Sequence, residues 1–291
     1  MKTRISFLGT PLFGAFVLET LLKKGVEIDY FSTLEKDSPV EKVSSKYLLK
    51  EEKSLEELAE KSDLVLVAGY GKIIPKNVLE IPPLGFLNLH PSLLPFYRGP
   101  SPITSTILNG DKITGVTLFL MDEKMDHGPI LSKETFEIKE KYYYPKLEKR
   151  LAILGGDLAF KTIPLWVEGK ISPKEQDHSK ATYSKIIKKE DGKINWEKES
   201  SQIEKMVRAY YPWPGAFTFT ENKYLKITEA KSREDISGLP GKVFLKDKKL
   251  FVGAKKGSLE LEKIQIEGKK EVKIHDFLQG NPHSLIGKRL G

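Results

Sequence analysis

The sequence of 291 residues contains no cysteine. Disulfide bonds, thiolate nucleophiles and cysteine-based metal sites are therefore excluded, so any chemistry must come from other side chains. No apolar run reaches the roughly 18 residues that a membrane-spanning helix requires. The first residues also enter a strand pattern too early for a signal peptide. We expect a cytoplasmic protein with no membrane partner.

Two cofactor signatures are also missing. The turn Gly9-Thr-Pro-Leu-Phe-Gly14 follows the first strand-like run, but it lacks the G-x-G-x-x-G spacing of a dinucleotide site. This turn is read as a tight strand-to-helix connection, with a substrate-lining role as the alternative. The histidines and acidic residues show no ligand spacing such as H-E-x-x-H, so no metal is expected. Internal repeats and low-complexity tracts are absent as well.

Positive charge is present in excess and is concentrated in one part of the chain. The net charge is +8, and residues 201–291 contain 18 Lys and Arg against 11 Asp and Glu. The asymmetry indicates a nearly neutral half joined to a basic module that could bind a polyanion. A solvated basic surface is the alternative.

The first part of the chain alternates between two kinds of pattern. Strand-like runs at residues 3–8, 26–32, 63–68, 86–89 and 116–121 are separated, in the early part, by helical or loop segments. A long helical pattern over residues 144–170 is interrupted by Gly155 and Gly156. The alternation predicts an α/β fold with a wound, mostly parallel, Rossmann-like sheet.

The second part changes character. Residues 171–180 are polar and read as a loop, and short alternating runs begin after Pro212, at residues 216–219, 224–228, 242–245, 250–252 and 258–266. They predict a small, OB-like β-barrel with a final short helix near residues 274–279. The expected organisation is a catalytic domain at 1–185, a linker at 186–209 and a basic β-barrel domain at 210–291.

Two polar residues lie at the end of one strand-like run. Asn88 and His90 flank Leu89, and alternate side chains of a strand point to the same face, so an amide and an imidazole leave the sheet together. Ligands of open α/β sheets bind at the carboxyl ends of strands. A purely structural role remains the alternative for this pair taken alone.

The following segments add an arginine and a carboxylate. A Pro-rich loop over residues 91–102 places Arg98 beside His90, and the run at 114–121 ends in a turn that contains Asp126. We expect that turn at the same edge of the sheet. Acyl transfer to an amine needs a proton acceptor, a group that orients it and donors for an oxyanion. The amide, imidazole and acid together predict such a reaction.

These motifs resemble the 10-formyltetrahydrofolate-dependent formyltransferases. The resemblance lies in Asn88-Leu-His90, in Ser92-Leu-Leu-Pro-Phe-Tyr-Arg-Gly99 and in Asp126-His-Gly128. Further similar segments occur in the same order at 9–11, 69–75, 115–117, 194–196 and 208–218, whereas about 33–62 does not follow. The segments Ile194-Asn-Trp196 and Pro212-Trp-Pro214 resemble the second domain of the members that act on methionyl-tRNA.

The resemblance implies a role for each residue of the site. His90 would assist proton removal from the attacking ammonium, Asn88 would donate to the oxyanion, and Asp126 would orient the imidazole and accept protons. Residues implied to bind the co-substrate 10-formyltetrahydrofolate are Tyr70, Gly71, Lys72, Ile73, Ile74, Ser92, Leu93, Leu94, Pro95 and Asp122. Those implied to bind the acceptor substrate are Thr10, Pro11 and Arg98.

The acceptor implied by the resemblance is the α-amino group of methionyl initiator tRNA, formylated for translation initiation by a monomeric enzyme. Bacterial members usually carry a long basic insertion after the second strand, but here residues 31–40 are short and their charges nearly cancel. This departure keeps an amino-sugar nucleotide N-formyltransferase as the alternative. A non-catalytic nucleic-acid-binding protein is a third interpretation, opposed by the presence of Asn88, His90 and Asp126.

Overall fold

The computed structural model describes residues 2–221, 223–280 and 285–291. The chain divides into two compact units. The first comprises Met1–Ile103, Lys112–Glu140 and Lys146–Ile186, and the second comprises Thr104–Asp111, Lys141–Pro145 and Ile187–Gly291. None of the described helices combines the length and apolarity needed to cross a membrane.

The first unit contains a sheet of seven strands in the order β3-β2-β1-β4-β5-β6-β7. The strands are β1 (Ile5–Gly9), β2 (Tyr30–Ser32), β3 (Lys50–Glu51), β4 (Leu64–Ala68), β5 (Phe86–His90), β6 (Ile113–Leu120) and β7 (Ile130–Glu137). The first five are parallel to one another, whereas β6 is antiparallel to β5 and β7 is antiparallel to β6. The predicted wound, mostly parallel sheet is confirmed. Strands β1 and β4 are almost entirely buried because helices cover both faces of a parallel sheet.

Six helices connect or follow these strands: α1 (Leu12–Lys23), α2 (Pro39–Lys46), α3 (Leu55–Glu60), α4 (Lys76–Leu79), α5 (Pro102–Asn109) and α6 (Tyr144–Val167). The side chains of Ser38 and Ser54 cap α2 and α3 by accepting hydrogen bonds from backbone N–H groups of the first turn. In the Gly9–Gly14 turn, a Cβ atom on either glycine would lie within 2.6 Å of the Ala68 carbonyl oxygen. Both glycines are therefore explained by close packing of α1 against β4.

The helical pattern predicted over residues 144–170 forms one continuous helix, α6. The helix runs through Gly155 and Gly156 without a break. A Cβ atom at Gly156 would lie 2.7 Å from Cβ of Thr20, and one at Gly155 would lie 3.5 Å from a methyl of Leu89. The glycines serve close packing of the helix against α1 and β5.

The second unit contains a six-stranded antiparallel sheet in the order β10-β11-β12-β9-β8, with β13 paired to β12. Its elements are α7 (Ser200–Ala209), β8 (Ala216–Thr220), β9 (Lys223–Arg233), β10 (Val243–Lys246), β11 (Lys249–Gly253), β12 (Ser258–Ile266), β13 (Val272–Lys273) and α8 (Ile274–Gly280). The predicted β domain and its final helix are confirmed. Helix α7 lies within 186–209, the segment expected to be a linker, and buries Ile203, Met206 and Val207.

Candidate active site

Strand β5 positions the first two polar side chains. Asn88 is half-buried, and His90 is only 5% exposed. Leu89, between them, is 1% exposed and packs on the opposite face of the sheet. The period of two in the sequence therefore predicted the shared direction of Asn88 and His90.

Asp126 reaches these side chains by a route that the sequence did not predict. Strand β6 is antiparallel to β5, with Leu120 opposite Leu87 and Thr117 opposite His90. The carboxyl end of β6 therefore lies at the edge of the sheet opposite to His90, and the expectation of a shared edge is wrong. The turn between β6 and β7 instead folds back over the face of β5. Asp126, in this turn, adopts a left-handed φ of 49°.

The three side chains converge. The Asn88 Nδ2 atom donates to Oδ1 of Asp126 at 3.5 Å, and the same oxygen lies 3.6 Å from Nδ1 of His90. The side chains of His90 and Asp126 are 6% and 12% exposed. A carboxylate, an imidazole and an amide thus share a site from which water is largely excluded, where charged and polar interactions are stronger than in bulk solvent.

Two backbone groups of the loop after β5 fix the orientation of these side chains. The carbonyl of Tyr97 lies 2.9 Å from Nε2 of His90, and because a carbonyl only accepts, Nε2 carries a hydrogen. Nδ1 is then the nitrogen that can take up or release a proton, and it faces Asp126. The N–H of Gly99 donates to Oδ2 of Asp126 at 2.7 Å.

A polar segment that the sequence described only as a loop completes the site. We call residues 174–184 the strap. It begins with Lys174, which forms two backbone hydrogen bonds with Ile130, and near its end Thr182 accepts from the N–H of Arg98 at 2.8 Å. Gln176 is 6% exposed and donates to the carbonyls of Asp126 and Gly128. No periodicity or spacing in the sequence indicated this residue.

Arg98 lies inside the protein. Its side chain is 2% exposed, and its guanidinium donates to Oε1 of Gln176 at 2.7 Å and to Nδ1 of His178 at 2.8 Å. The ring of His178 stacks on that of His127 at a centroid distance of 4.0 Å, and His127 lies 2.6 Å from the Asp122 carboxylate. The guanidinium therefore has little surface left for a substrate.

The other residues that the sequence assigned to the acceptor substrate lie at the carboxyl ends of β1 and β4. Thr10 Oγ1 accepts from the N–H of Leu34 at 3.2 Å, and its own N–H donates to the Gly69 carbonyl. Pro11 precedes helix α1 and lies against Gly69. The segment with Tyr70 therefore begins next to Thr10 and Pro11.

The segment 70–74 has an exposed and a buried side. Gly71 and Lys72 are exposed, as is Ile73 at 77%. Ile74 is 2% exposed and packs in the apolar cluster with Leu8 and Val67. Tyr70 packs against the same cluster, and burial raises the pKa of its phenol. A ligand here would meet the backbone and the Ile73 side chain rather than Ile74.

The segment 92–95 forms a wall that is tied to the sheet. The hydroxyl of Thr117 donates to the Ser92 carbonyl at 2.7 Å and accepts from the N–H of Leu94 at 3.1 Å. Lys133 Nζ also donates to the Leu94 carbonyl, and burial lowers the pKa of this lysine. Ser92 and Leu94 are fully buried, whereas Leu93 and Pro95 are half-buried.

A cavity of about 580 Å³ lies beside the turn that carries Asp126. Its lining includes Leu79, Met121, Asp122, Lys124 and His127. Asp122 belongs to the residues expected to bind the co-substrate, whereas segments 70–74 and 92–95 are not part of this lining. Among the residues that the structure describes, no three His, Asp or Glu side chains form a group able to hold a metal ion.

Comparison with known proteins defines the class of protein. Residues 21–163 match the family described as formyl transferase, and residues 186–282 match its C-terminal domain. The chain belongs to the formyl transferase family. It is 36% identical to the methionyl-tRNA formyltransferase of Roseiflexus castenholzii over the full length of both chains. It is 38% identical to that of Chloroflexus aurantiacus over 91% of this chain and 92% of the relative.

Solved structures of more distant relatives share the fold. WlaRD, a sugar 3N-formyl transferase, superposes with a TM-score of 0.71 at 20% identity, covering 93% of this chain and 100% of WlaRD. HypX from Aquifex aeolicus, solved with tetrahydrofolic acid, superposes with a TM-score of 0.69 at 19% identity, covering 96% of this chain and 47% of HypX. At these identities the likeness concerns the fold alone.

Proposed function

We propose that the protein transfers the formyl group of 10-formyltetrahydrofolate to the α-amino group of methionyl initiator tRNA. The observation that carries this proposal is the convergence of Asn88, His90 and Asp126, with Oδ1 of Asp126 3.5 Å from the amide nitrogen and 3.6 Å from the imidazole. These groups match what formyl transfer to an amine requires: a proton acceptor and donors for the oxyanion.

The reaction follows from these positions. The amine nitrogen attacks the formyl carbon, a new N–C bond forms, and the carbonyl oxygen becomes an oxyanion to which Asn88 donates. A single well-aimed donor of this kind contributes about 3 kcal/mol to the transition state. The amine proton passes to Asp126 or to Nδ1 of His90. It is then returned to N10 of the folate as the old N–C bond breaks.

The fit of the folate rests on the surroundings of Asp126. Asp122, one of the residues expected to bind the folate, lines the cavity of about 580 Å³ together with Leu79 and Met121, and this lining reaches His127 but not Asn88, His90 or Asp126. The exposed backbone at Gly71 and Lys72 offers further polar groups. The co-substrate supplies the formyl group, and the protein supplies orientation and proton transfer.

The choice of acceptor is supported by the relatives. Proteins named methionyl-tRNA formyltransferase are 35–38% identical to this chain over at least 91% of its length. The sugar formyltransferases are 18–21% identical. The basic second unit adds lysines that could contact tRNA phosphates, such as the exposed Lys246 and Lys248, in the hairpin between β10 and β11.

One assay tests this proposal. Purified protein is incubated with 10-formyltetrahydrofolate and, in separate reactions, with methionyl initiator tRNA or an amino-sugar nucleotide, and formyl incorporation is measured. We expect formylation of the tRNA and none of the sugar. Formylation of the sugar alone would assign the protein to the amino-sugar enzymes. Binding of tRNA without formylation of either acceptor would favour a non-catalytic nucleic-acid-binding protein.

A further inference from the structure

We infer that Gln176 is a positioning residue for Asp126 and that Arg98 acts through it. The inference rests on the proposed function, because it assigns a part in the same reaction to residues far away in the sequence. Asp126 adopts a left-handed backbone conformation, with φ of 49°, that costs free energy for a residue with a side chain. At Asp126, hydrogen bonds from residues outside the turn hold this conformation.

The side chain of Gln176 holds the turn through two carbonyls. Its Nε2 donates to the carbonyl oxygen of Asp126 at 3.0 Å and to that of Gly128 at 2.8 Å. The backbone of Gly128 packs closely against β6, since a Cβ atom at Gly128 would lie 2.0 Å from the Leu120 carbonyl oxygen. The turn is therefore fixed on both sides of His127.

Arg98 fixes the orientation of the glutamine amide. Its Nη2 and Nε atoms lie 2.7 and 3.3 Å from Oε1 of Gln176, and a guanidinium only donates hydrogen bonds. The oxygen of the amide must therefore face Arg98, and its NH2 group must face the turn. All donors and acceptors of the buried Gln176 amide are used.

The same segment contacts the carboxylate of Asp126 directly. Gly99 donates to Oδ2 of Asp126, and the backbone of the neighbouring Arg98 pairs with Thr182 and Ser184 of the strap. The backbone and the carboxylate of Asp126 are thus held by two connected parts of one network. Its role is to keep Oδ1 of Asp126 near Asn88 and His90.

Gln176→Glu tests this role with almost no change of shape. The glutamate keeps an acceptor for Arg98 but turns a carboxylate oxygen toward the carbonyls of Asp126 and Gly128, so the turn is repelled instead of held. We expect kcat for formyl transfer to fall by about 10- to 100-fold, as for displaced catalytic groups. We expect KM for the folate to stay within about twofold. The matched control is Gln202→Glu, at an exposed residue in the first turn of α7, where glutamate also suits the cap.

A second variant and a structural readout separate the possible failures. Gln176→Met removes both donors without adding charge, and we expect the same fall in kcat if Gln176→Glu does not fold. Crystal structures of either variant should show Asp126 outside the left-handed region and its Oδ1 farther from His90. If the wild-type protein transfers no formyl group, the proposed function fails, and the crystal structures still test the positioning of Asp126. An unchanged Asp126 turn, or kcat within about twofold of wild type in a folded variant, would overturn the inference.

Discussion

At the residue scale, burial decides what a charged side chain can do. Arg98 was expected from the sequence to bind the substrate, but it is 2% exposed and bonded to Gln176, His178 and Tyr183. A buried cation that donates to neutral acceptors stabilises the fold only while its hydrogen bonds are kept, because its desolvation is costly. We therefore assign Arg98 to the interior network.

Arg98→Lys distinguishes the two roles. Lysine keeps the charge but lacks the guanidinium fork, so the hydrogen bonds to Gln176 and His178 cannot all be made. We expect the free energy of unfolding to fall by about 2–4 kcal/mol, measured by urea denaturation. The control Arg4→Lys changes a surface arginine paired with Asp63 and should cost less than about 1 kcal/mol. Unchanged stability with a raised KM for tRNA would instead support substrate binding by Arg98.

The sequence predicted some residues of the site better than others. Asn88 and His90 lie on one strand, where the period of two fixes the direction of their side chains. Asp126 was identified as a candidate, but the path of its turn was not predicted. An apolar run does not show that β6 is antiparallel to β5. Gln176 lies 50 positions from Asp126 along the chain and in a segment without periodicity. The sequence around Arg98 did not indicate that the Arg98 side chain would be buried against Gln176.

At the element scale, the strap has one buried side chain, that of Gln176, and hydrogen bonds join it to the rest of the first unit. Its centre is a short 3-10 turn, His178–Lys180, preceded by Asp177. The carboxylate of Asp177 accepts from Ser179 Oγ at 2.6 Å and pairs with Lys180 at 2.8 Å. These contacts lower the pKa of Asp177 to about 2, and the contact with Lys180 has the largest effect.

The lowered pKa of Asp177 predicts how its contribution to stability changes at acidic pH. A carboxyl whose pKa is lowered by folding stabilises the fold above its unfolded pKa of about 3.9. That stabilisation is lost as the pH falls from about 4 toward the folded value. A carboxyl NMR titration should place the pKa of Asp177 near 2. In Lys180→Met it should rise toward the ordinary value. Because Asp177 is exposed, the effect on global stability should be small.

The result that would contradict this assignment is an Asp177 that titrates at its ordinary pKa in the wild-type protein. A suitable control is Asp63, in the first unit, whose pKa is lowered by its hydrogen bonds with Arg4. Its titration should be the same in the wild-type protein and in Lys180→Met.

Several elements could be predicted from the sequence, and others could not. Strand β12 was predicted with the bounds Ser258–Ile266 that the structure has, because its alternating pattern is bordered by turn signals. Strand β7 was missed because most of its residues are exposed or half-buried and polar. The run predicted at 26–32 forms a strand only over Tyr30–Ser32. The hydrophobic pattern of a sequence indicates which residues are buried. An edge strand with few buried residues therefore gives a weak pattern.

At the scale of the whole molecule, a nearly neutral part and a basic part of the chain form separate compact units. The first unit contains the groups that can perform the chemistry. The second contains most of the excess positive charge, which suits a polyanionic acceptor. The domain boundaries predicted at 185 and 209 stay a prediction.

The central claim is that Asn88, His90 and Asp126 form the reacting centre of this formyl transferase. His90→Ala in the full chain tests it most directly, because His90 contacts both Asp126 and the loop after β5. The measurement is single-turnover formylation of methionyl initiator tRNA, with folate affinity and the melting temperature determined in parallel. We expect the rate to fall by about 10²- to 10⁴-fold while folate binding and folding are kept. A folded variant that formylates the tRNA at close to the wild-type rate would contradict the account.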